Sequence, residues 1–294
     1  MTQSTRTSQL ADSAQFDYPD LNLSIKISHF IQETRALTKR LFIQLIRRPS
    51  TLIAGLVQPL MWLVLFGALF QNAPDGFMGT SGQYQKFLGA GVIVFTAFGG
   101  ALNAGLPVMF DREFGFLNRL LMAPLVSRSS IVVASAIFIM SLSLLQSIVI
   151  ISTIAILGAG LPNGLGILLI MAIVMVLVLA VTSLSLALAF SLKGHVELIA
   201  VILVTNLPLL FASTALAPLS FMPTWLQWIA LLNPLSYAIE PIRYIYQHPD
   251  WSLNAIAIVA PWGSVSLIGC LGLLSGFAAV SLYSIQPLLK RSLG

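Results

Sequence analysis

Few side chains in this 294-residue sequence could perform chemistry, and their spacing predicts neither a catalytic nor a metal site. The acidic residues Asp111 and Glu113 would lie two apart on a helix, so they would not share a face on which to bind a metal. No H-E-x-x-H zinc motif occurs. The three histidines lie in separate segments: His29, His195 and His248. The single cysteine, Cys270, has no partner for an intrachain disulfide. We therefore predict no catalytic residues and no metal in this chain.

The sequence also lacks a nucleotide-binding loop. The pattern G-x-x-x-x-G-K-[ST], whose backbone amides cradle phosphates, occurs nowhere in it. The interiors of the apolar stretches hold no charged residue, whereas carriers driven by protons or sodium usually keep ionisable side chains there. If the chain moves a solute, we expect the energy to come from another protein.

Composition predicts that the elements around these residues lie in a membrane. Hydrophobic residues make up 57% of the chain and charged residues 9%, with a mean hydropathy of +0.92, whereas soluble domains are about 25% charged. Six apolar stretches are long enough for the roughly 20 residues that a helix needs to cross the hydrocarbon. They are 51–71, 87–110, the two arms of 129–192 on either side of a turn at 158–166, 198–216, and 255–285, the last entered near Pro261. The predicted fold class is an all-α integral membrane protein with six transmembrane helices.

The positions of the basic residues predict the orientation of these helices. With six spans both termini lie on one side, and all 15 Lys and Arg residues except Lys86 and Arg243 fall on that side. Basic residues near span ends resist translocation. We therefore predict a multi-pass protein of the cytoplasmic (inner) membrane, with both termini and the 111–128 loop in the cytoplasm. This distribution accounts for the net charge of +5, so no nucleic-acid partner is predicted.

The chain before the first span divides into two parts. Residues 1–23 are rich in Ser, Thr, Gln and Asp, a composition typical of a disordered tail. In residues 24–48 apolar residues recur every three or four positions with basic residues between them, which predicts an amphipathic helix in the membrane interface. Two roles stay open for this helix: an anchor to anionic lipid headgroups, and a contact with a partner protein.

Uncharged polar side chains interrupt the predicted spans. They are Gln58, Asn103, Gln146, Thr182, Ser183, Ser185, Thr205 and Asn206. Hydrogen bonds between helices are the favoured explanation, and such bonds contribute about 1 kcal/mol each in model systems. The alternative is that they line a transport pathway with an aromatic wall, although each aromatic residue could instead pack against lipid. The candidates for that wall are Trp62, Phe66, Phe95, Phe98, Phe211 and Phe221.

Residues 111–128, DREFGFLNRLLMAPLVSR, form a charged amphipathic segment between the second and third spans. This segment resembles the cytoplasmic loop of ABC type 2 exporter permeases, whose usual form is R-E-x-G-T-L-E-x-L-L-x-T-P-V-S-R. Three positions depart from that form: Phe116, Asn118 and Ala123. The resemblance implies a coupling helix that docks on an ATPase, with Phe114 on its apolar face and Arg112 and Glu113 towards the partner. The coupling residues would be Arg112, Glu113, Phe114, Gly115, Leu117, Asn118, Leu120, Leu121, Pro124 and Arg128.

A second segment, LNPLSYAIEPIRYI at residues 232–245, is similar to the family's N-P-L-T-Y-x-x-E-x-x-R motif. The matching residues are Asn233, Pro234, Tyr237, Glu240 and Arg243. Asn233 and Pro234 have the types expected at the cap and first position of a helix. On that helix Glu240 and Arg243 are close enough to pair, and Pro241 is expected to interrupt it early. The resemblance implies an outer re-entrant helical hairpin over 218–247.

The resemblance covers nearly the whole chain and implies a function. Residues 49–294 would form a six-span permease domain that assembles as a homodimer. Each copy would bind a separate ABC ATPase subunit carrying ATP and Mg, so this chain would bind no cofactor and would not itself be an enzyme. The daunorubicin and lipo-oligosaccharide export group implies a hydrophobic, amphiphilic or lipid-linked substrate, moved outward or between the leaflets of membrane lipid. Two other classes stay open: a membrane-embedded lipid-modifying enzyme, and a passive channel or assembly factor.

Overall fold

The computed structural model describes residues 23–69, 81–115 and 129–293, and these are mostly helical. The helices are α1 (Leu23–Arg47), α2 (Pro49–Leu69), α3 (Ser81–Leu102), α4 (Gly105–Glu113), α5 (Ser129–Ile154), α6 (Gly164–Ser191), α7 (His195–Phe211), α8 (Thr224–Leu232), α9 (Pro234–Gln247) and α10 (Leu267–Leu293). The two strands are β1 (Ile256–Ala260) and β2 (Gly263–Ser266). Single turns of π-helix and 3₁₀-helix lie at Ala155–Ala159 and Leu219–Phe221.

Five helical segments in the described part of the chain are long and apolar enough to cross a membrane. They are Leu52–Leu69, Lys86–Glu113, Ser129–Gly158, Gly164–Ser191 and Leu267–Pro287. The predicted fifth span, 198–216, corresponds to α7, which has 17 residues. At 1.5 Å per residue α7 is about 26 Å long, slightly less than the roughly 30 Å of hydrocarbon. The helical, multi-span fold is therefore confirmed, and the count of six spans stays a prediction.

Helices α3 and α6 occupy the centre of the bundle. α6 packs against α3, α5 and α10, and α3 also packs against α5 and α9. Fully buried β-branched side chains such as Ile93 and Ile173 fill the core between them. α2 lies outside this core with most of its apolar residues exposed. The helix predicted over 24–48 is present as α1, which packs along α5 with the Phe42 and Phe138 rings 5.2 Å apart.

The predicted second span is two helices rather than one. Ser185 of α6 bridges the break: its hydroxyl donates to the Leu102 carbonyl at 2.5 Å and accepts from the Gly105 N–H at 2.9 Å. A Cβ on Gly105 would lie 2.5 Å from the Ser185 carbonyl oxygen, so only glycine permits this approach. α4 then continues to Glu113, so the first residues of the predicted 111–128 loop are helical. The sequence changes from apolar to charged residues at Asp111, but α4 continues through this change to Glu113.

The predicted turn at 158–166 is confirmed. Gly158 and Gly160 have φ angles of +95° and +77°, in the left-handed region that glycine adopts without strain. Asn163 then caps α6, because its side-chain oxygen accepts a hydrogen bond from the Gly166 N–H at 2.7 Å. α5 and α6 therefore form a helical hairpin, as the sequence indicates.

The predicted sixth span is wrong at its start. Residues 256–266 form an antiparallel hairpin, and α10 begins at Leu267 rather than near Pro261. β-Branched residues favour a strand, and Pro261 lies in the turn between the paired residues Ala260 and Gly263. A short apolar run does not distinguish a strand from a buried helix. The fold is mostly helical as predicted, and this short hairpin is a local element that the sequence did not indicate.

The predicted interruption of α9 at Pro241 is also wrong, because the helix continues to Gln247. Its start is as predicted: the Asn233 side chain accepts from the Leu235 N–H at 3.0 Å, and Pro234 holds the first helical position. A proline inside a helix removes one backbone bond, and burial of the surrounding side chains offsets that loss. The buried residues of α9 include Ile239, Ile242 and Ile245.

Candidate functional site

Three consecutive charged residues end α4, and each contacts a different helix. The first, Asp111, pairs with Arg40 of α1, whose Nη2 donates to both carboxylate oxygens at 3.1 Å. The two side chains are 30% and 31% exposed, so solvent screens part of their attraction. This pair joins α1 to α4.

Arg112 binds the end of α6. Its Nη1 donates to the Ala189 carbonyl at 2.9 Å, and its Nη2 donates to the carbonyls of Leu192 and of Lys193, the latter at 3.0 Å. The last carbonyls of a helix have no partner within it and carry the negative end of its dipole. A guanidinium has five N–H donors in a fixed fork, which suits such a cluster of acceptors. Arg112 therefore caps α6.

Glu113 binds the beginning of α7. Its Oε1 accepts a hydrogen bond from the backbone N–H of His195 at 2.6 Å, and its Oε2 lies 2.5 Å from His195 Nδ1. His195 is the first residue of α7, where unpaired N–H groups and the positive end of the dipole favour a carboxylate. Gly194 permits this approach, because a Cβ there would lie 2.8 Å from Glu113 Oε1.

The chain leaves α4 through Phe114 and Gly115. The Phe114 side chain is 78% exposed and stacks on Phe110 with ring centroids 6.0 Å apart. Gly115 has a φ angle of +73°, the left-handed conformation that commonly follows a helix. The other predicted coupling residues lie outside the described residues: Leu117, Asn118, Leu120, Leu121, Pro124 and Arg128. Phe114 is thus an exposed apolar group where the loop begins.

The structure bonds Arg112 and Glu113 to helices of their own chain, and the sequence did not indicate these bonds. Their contact with a partner protein stays a prediction. The sequence also gave no indication of the Arg40–Asp111 pair or the His195–Glu113 contact, since these partners are far apart along the chain. One signal was available for His195. It opens an apolar helix directly after a glycine, so its backbone N–H needs an acceptor from elsewhere.

The second predicted motif lies at the other end of α7. Asn233 is 4% exposed, and its Nδ2 donates to the carbonyls of Leu209 and Ala212 at 2.7 Å each. These carbonyls belong to the last turn of α7 and to the residue that follows it. The Asn233 side chain also caps α9, as described above. One carboxamide therefore joins the end of α7 to the start of α9.

Arg243 extends this network. It donates to Glu240, which confirms the predicted pair, and its Nη2 donates to the Thr214 carbonyl at 2.6 Å. Its guanidinium carbon lies 3.6 Å from the centroid of the Phe87 ring on α3, a cation–π contact. Arg243 is 5% exposed, and a buried charge requires such partners. The segment after α7 is therefore fixed to α9 and α3.

Helices α8 and α9 meet at Asn233 and form a helical pair within the predicted range 218–247. The Tyr237 hydroxyl of α9 donates to the Leu231 carbonyl of α8 at 2.7 Å. The Trp228 ring of α8 lies 4.9 Å from the Trp262 ring of the β-hairpin turn. With 9 and 14 residues, both helices are too short to cross a membrane. A re-entrant position for this pair stays a prediction.

Both motifs therefore hold the same helix. The end of α4 binds the first residue of α7, and the start of α9 binds its last turn. Between these ends, only three of the 17 residues of α7 are buried: Leu198, Ile202 and Leu210. Polar contacts thus hold both ends of α7, while few buried side chains hold its middle.

A cavity of about 390 Å³ lies between α2, α3, α5 and α7. Four polar residues of the predicted spans line it: Gln58, Asn103, Gln146 and Asn206. Trp62 and Phe95 also line it and stack with centroids 5.9 Å apart. The other proposed wall residues are not part of the lining: Phe66, Phe98, Phe211 and Phe221. Interhelical bonding is confirmed for Ser185, whereas Ser183 bonds within its own helix.

Comparison with known proteins places the sequence in a family of transporters. A sequence profile for the family described as ABC-2 type transporter matches residues 32–246. The chain is 52% identical over 285 residues to a protein of Porphyra purpurea named as transport permease ycf38, covering 97% of each chain. It is 49% identical over 267 residues to the protein of that name from Cyanophora paradoxa, covering 91% of this chain and 92% of the other. It is also 27% identical over 250 residues to a Mycobacterium tuberculosis protein named as the doxorubicin resistance ABC transporter permease DrrC, covering 81% and 85%.

Proposed function

Because the chain belongs to the ABC-2 type transporter family, we propose that it is the membrane permease subunit of an ATP-driven exporter. Its proposed partners are a separate ABC ATPase subunit, which holds ATP and Mg, and a second copy of this chain. Its proposed cargo is a hydrophobic, amphiphilic or lipid-linked molecule that moves outward or between leaflets. In this arrangement six spans cross the cytoplasmic membrane, with α7 as the fifth, and both termini lie in the cytoplasm.

The observation that carries the coupling role is that the last turn of α4 is bonded to α6 and α7 at once, in addition to its ion pair with α1. Arg112 holds the carbonyl end of α6, and Glu113 holds the amide end of α7. Hydrogen bonds with a charged partner are short and stronger than neutral ones. A displacement of the end of α4 would therefore be passed directly to both helices.

Of the two helices, α7 is the one that such a displacement would move. α6 is packed through the centre of the bundle, so its shift would cost many buried contacts. α7 buries few side chains, and its far end is tied to Asn233. A pull on His195 would therefore tilt α7 about its outer end. Since α7 also lines the 390 Å³ cavity, the tilt would change the shape of that space.

The proposed docking point for the ATPase is the segment that follows Glu113. The exposed Phe114 ring begins this segment, and exposed aromatic residues commonly anchor protein interfaces. The remaining contacts would come from residues 116–128. Because Phe114 directly follows Glu113, force on the docked segment would reach the Glu113–His195 contact without an intervening flexible linker.

The second copy is proposed to cover apolar surface on α2 and α7. Both helices expose large side chains outside the core, among them Met61, Leu65, Leu203 and Leu207. In a bilayer either lipid or protein could cover them. A cysteine introduced at Leu203, with Cys270 replaced by alanine, would form a disulfide-linked dimer in membranes if two copies meet along α7.

Replacing Glu113 with alanine tests the coupling role. The permease and its ATPase are reconstituted in liposomes, and ATP-dependent movement of a fluorescent long-chain lipid analogue is measured. We expect Glu113→Ala to reduce transport several-fold, while the ATPase still copurifies and still hydrolyses ATP. The transport rate of Glu113→Gln should fall between those of the wild type and Glu113→Ala, because its amide oxygen can still accept from the His195 N–H but carries no charge.

Glu197→Ala provides the matched control. Glu197 is an acidic residue in the first turn of α7 that accepts from the Lys193 N–H at 3.0 Å and makes no bond to α4. We expect this variant to transport normally. Unchanged transport in Glu113→Ala would remove α4 from the proposed mechanism. Turnover of a lipid that a chelator abolishes would favour the enzyme alternative, and flux without ATP would favour a passive channel.

A further inference from the structure

The cavity between α2, α3, α5 and α7, named here the carboxamide cavity, has dimensions suited to a ligand. Its volume of about 390 Å³ falls within the roughly 300–1,000 Å³ typical of small-molecule sites. Its apolar walls include Trp62, Phe95 and Phe138, and none of the described residues that line it is charged. A charged group would lose its hydration there without meeting a counter-charge.

Two carboxamides in the lining have an acceptor that is not hydrogen-bonded. Gln146 of α5 is 4% exposed, and its Oε1 is buried without a donor. Oδ1 of Asn206 on α7 is likewise buried without a donor. An unsatisfied buried acceptor costs about 1–3 kcal/mol and is uncommon in folded proteins. Both atoms belong to residues that line the same cavity.

Two polar donors of the lining are already occupied. The Thr96 hydroxyl donates to the Val92 carbonyl at 2.7 Å, and Asn103 Nδ2 donates to the Gly99 carbonyl at 2.7 Å. Both acceptors belong to α3, so neither bond joins two helices of the cavity wall. A ligand that supplies donors would therefore satisfy the two unpaired acceptors of Gln146 and Asn206.

A glycine on α2 makes room for the Gln146 carboxamide. Its Nε2 lies 2.8 Å from the position that a Cβ on Gly55 of α2 would take, and its Oε1 lies 3.8 Å from the corresponding position at Gly100 of α3. Larger residues at Gly55 would displace the group. The carboxamide is thus held between α2 and α3 at the edge of the cavity.

We propose that the carboxamide cavity binds the transported molecule and selects uncharged amphiphiles that carry hydroxyl or N–H donors beside an apolar chain. The donors bond to Gln146 Oε1 and Asn206 Oδ1, and the chain lies against Trp62 and Phe95. This proposal rests on the export function proposed above. It also connects to the movement of α7, because a tilt of that helix carries Asn206 away from Gln146 and weakens binding.

The test measures equilibrium binding to the purified permease in lipid nanodiscs, without the ATPase. The probes are a dibrominated long-chain alcohol, its methyl ether, the matching carboxylate and the matching trimethylammonium amphiphile. Bromine quenches tryptophan fluorescence, and the signal from the cavity is the quenching that the Trp62→Phe variant loses. We expect the alcohol to bind about tenfold more tightly than each of the other three probes.

Two variants test the acceptors. Gln146→Leu and Asn206→Leu should each bind the alcohol no better than the ether, and Gln146→Leu should unfold at a higher temperature because it removes an unsatisfied buried acceptor. Gln227→Leu, which changes a carboxamide of α8 outside the cavity, should leave binding unchanged.

Three outcomes would overturn the proposal: equal binding of alcohol and ether, equal binding of a charged probe, or unchanged binding of the alcohol to Gln146→Leu. Normal binding together with absent ATP-driven transport would instead count against the export function and leave the site standing.

Discussion

Replacing Asn233 with serine tests whether this residue at the start of α9 holds the end of α7. A serine hydroxyl can still cap α9, but it cannot replace the two bonds from Nδ2 to the carbonyls of Leu209 and Ala212. Leaving buried acceptors unpaired costs about 1–3 kcal/mol, so we take about 2 kcal/mol for serine. Alanine also removes the cap, which adds about 1 kcal/mol, so the loss of unfolding free energy rises to about 3 kcal/mol.

Thermal unfolding of the purified protein measures this loss. At about 2–4 °C per kcal/mol for larger domains, the midpoint should fall by about 4–8 °C for Asn233→Ser and about 6–12 °C for Asn233→Ala. Asn103→Ser is the control, because Asn103 is exposed, directly follows α3 and, among the described residues, its side chain donates only to the Gly99 carbonyl of that helix. Hydrogen exchange should also accelerate at residues 209–215 in the serine variant.

We expect wild type and the Asn103→Ser control to be most stable, Asn233→Ser to be less stable and Asn233→Ala to be least stable. If Asn233→Ser unfolded at the wild-type temperature, the two bonds to α7 would contribute nothing to the free energy of unfolding. Asn233 would then not hold that helix. Equal losses for serine and alanine would instead mean that the bonds to α7 carry the whole effect and the cap contributes none.

Two further tests follow from the contacts of α4. Gly105→Ala should destabilise the protein by about 1–3 kcal/mol, because its Cβ would lie 2.5 Å from the Ser185 carbonyl oxygen. Thermal unfolding measures this loss. Gly272→Ala is the control, because Gly272 is an exposed helical residue with open space around it, and no loss is expected there. A double-mutant cycle on Arg40 and Asp111 should give a coupling energy of about 0.2–1 kcal/mol that declines with salt, and a value above about 2 kcal/mol would contradict the partly exposed geometry.

The sequence predicts the helical elements well where composition changes sharply. The turn at 158–166 is bounded by long apolar runs and contains glycines and a capping asparagine, so its local signals agree with the fold. The start of α10 fails for the opposite reason. Residues 256–266 are as apolar as the helix that follows, and strand pairing between Ile256 and Ser266 is a property that hydropathy does not report.

The same distinction holds for the candidate site, where contacts within one helix were predicted and contacts between helices were not. Local spacing on one helix predicts the Glu240–Arg243 pair and the Asn233 cap, and both are confirmed. The contacts of Arg112 and Glu113 depend on how α4 lies beside α6 and α7, which no local pattern specifies. Family resemblance marked these residues for contact with an outside partner, which stays a prediction; it did not indicate their bonds within the chain, because a motif gives the residue type and not the direction of its side chain.

The two motifs are separate in the sequence, and in the structure they contact opposite ends of α7. This arrangement has a physical consequence for transmission over a distance. α7 is about 26 Å long, and its middle is held by few buried side chains, while directional bonds grip both ends. A helix is stiff along its axis because each turn is bonded to the next, although Pro208 removes one such bond near the end of α7. In the proposed mechanism, force applied through Glu113 therefore reaches Asn206 in the carboxamide cavity as movement of the whole helix, and no chain of packed side chains through the core is required.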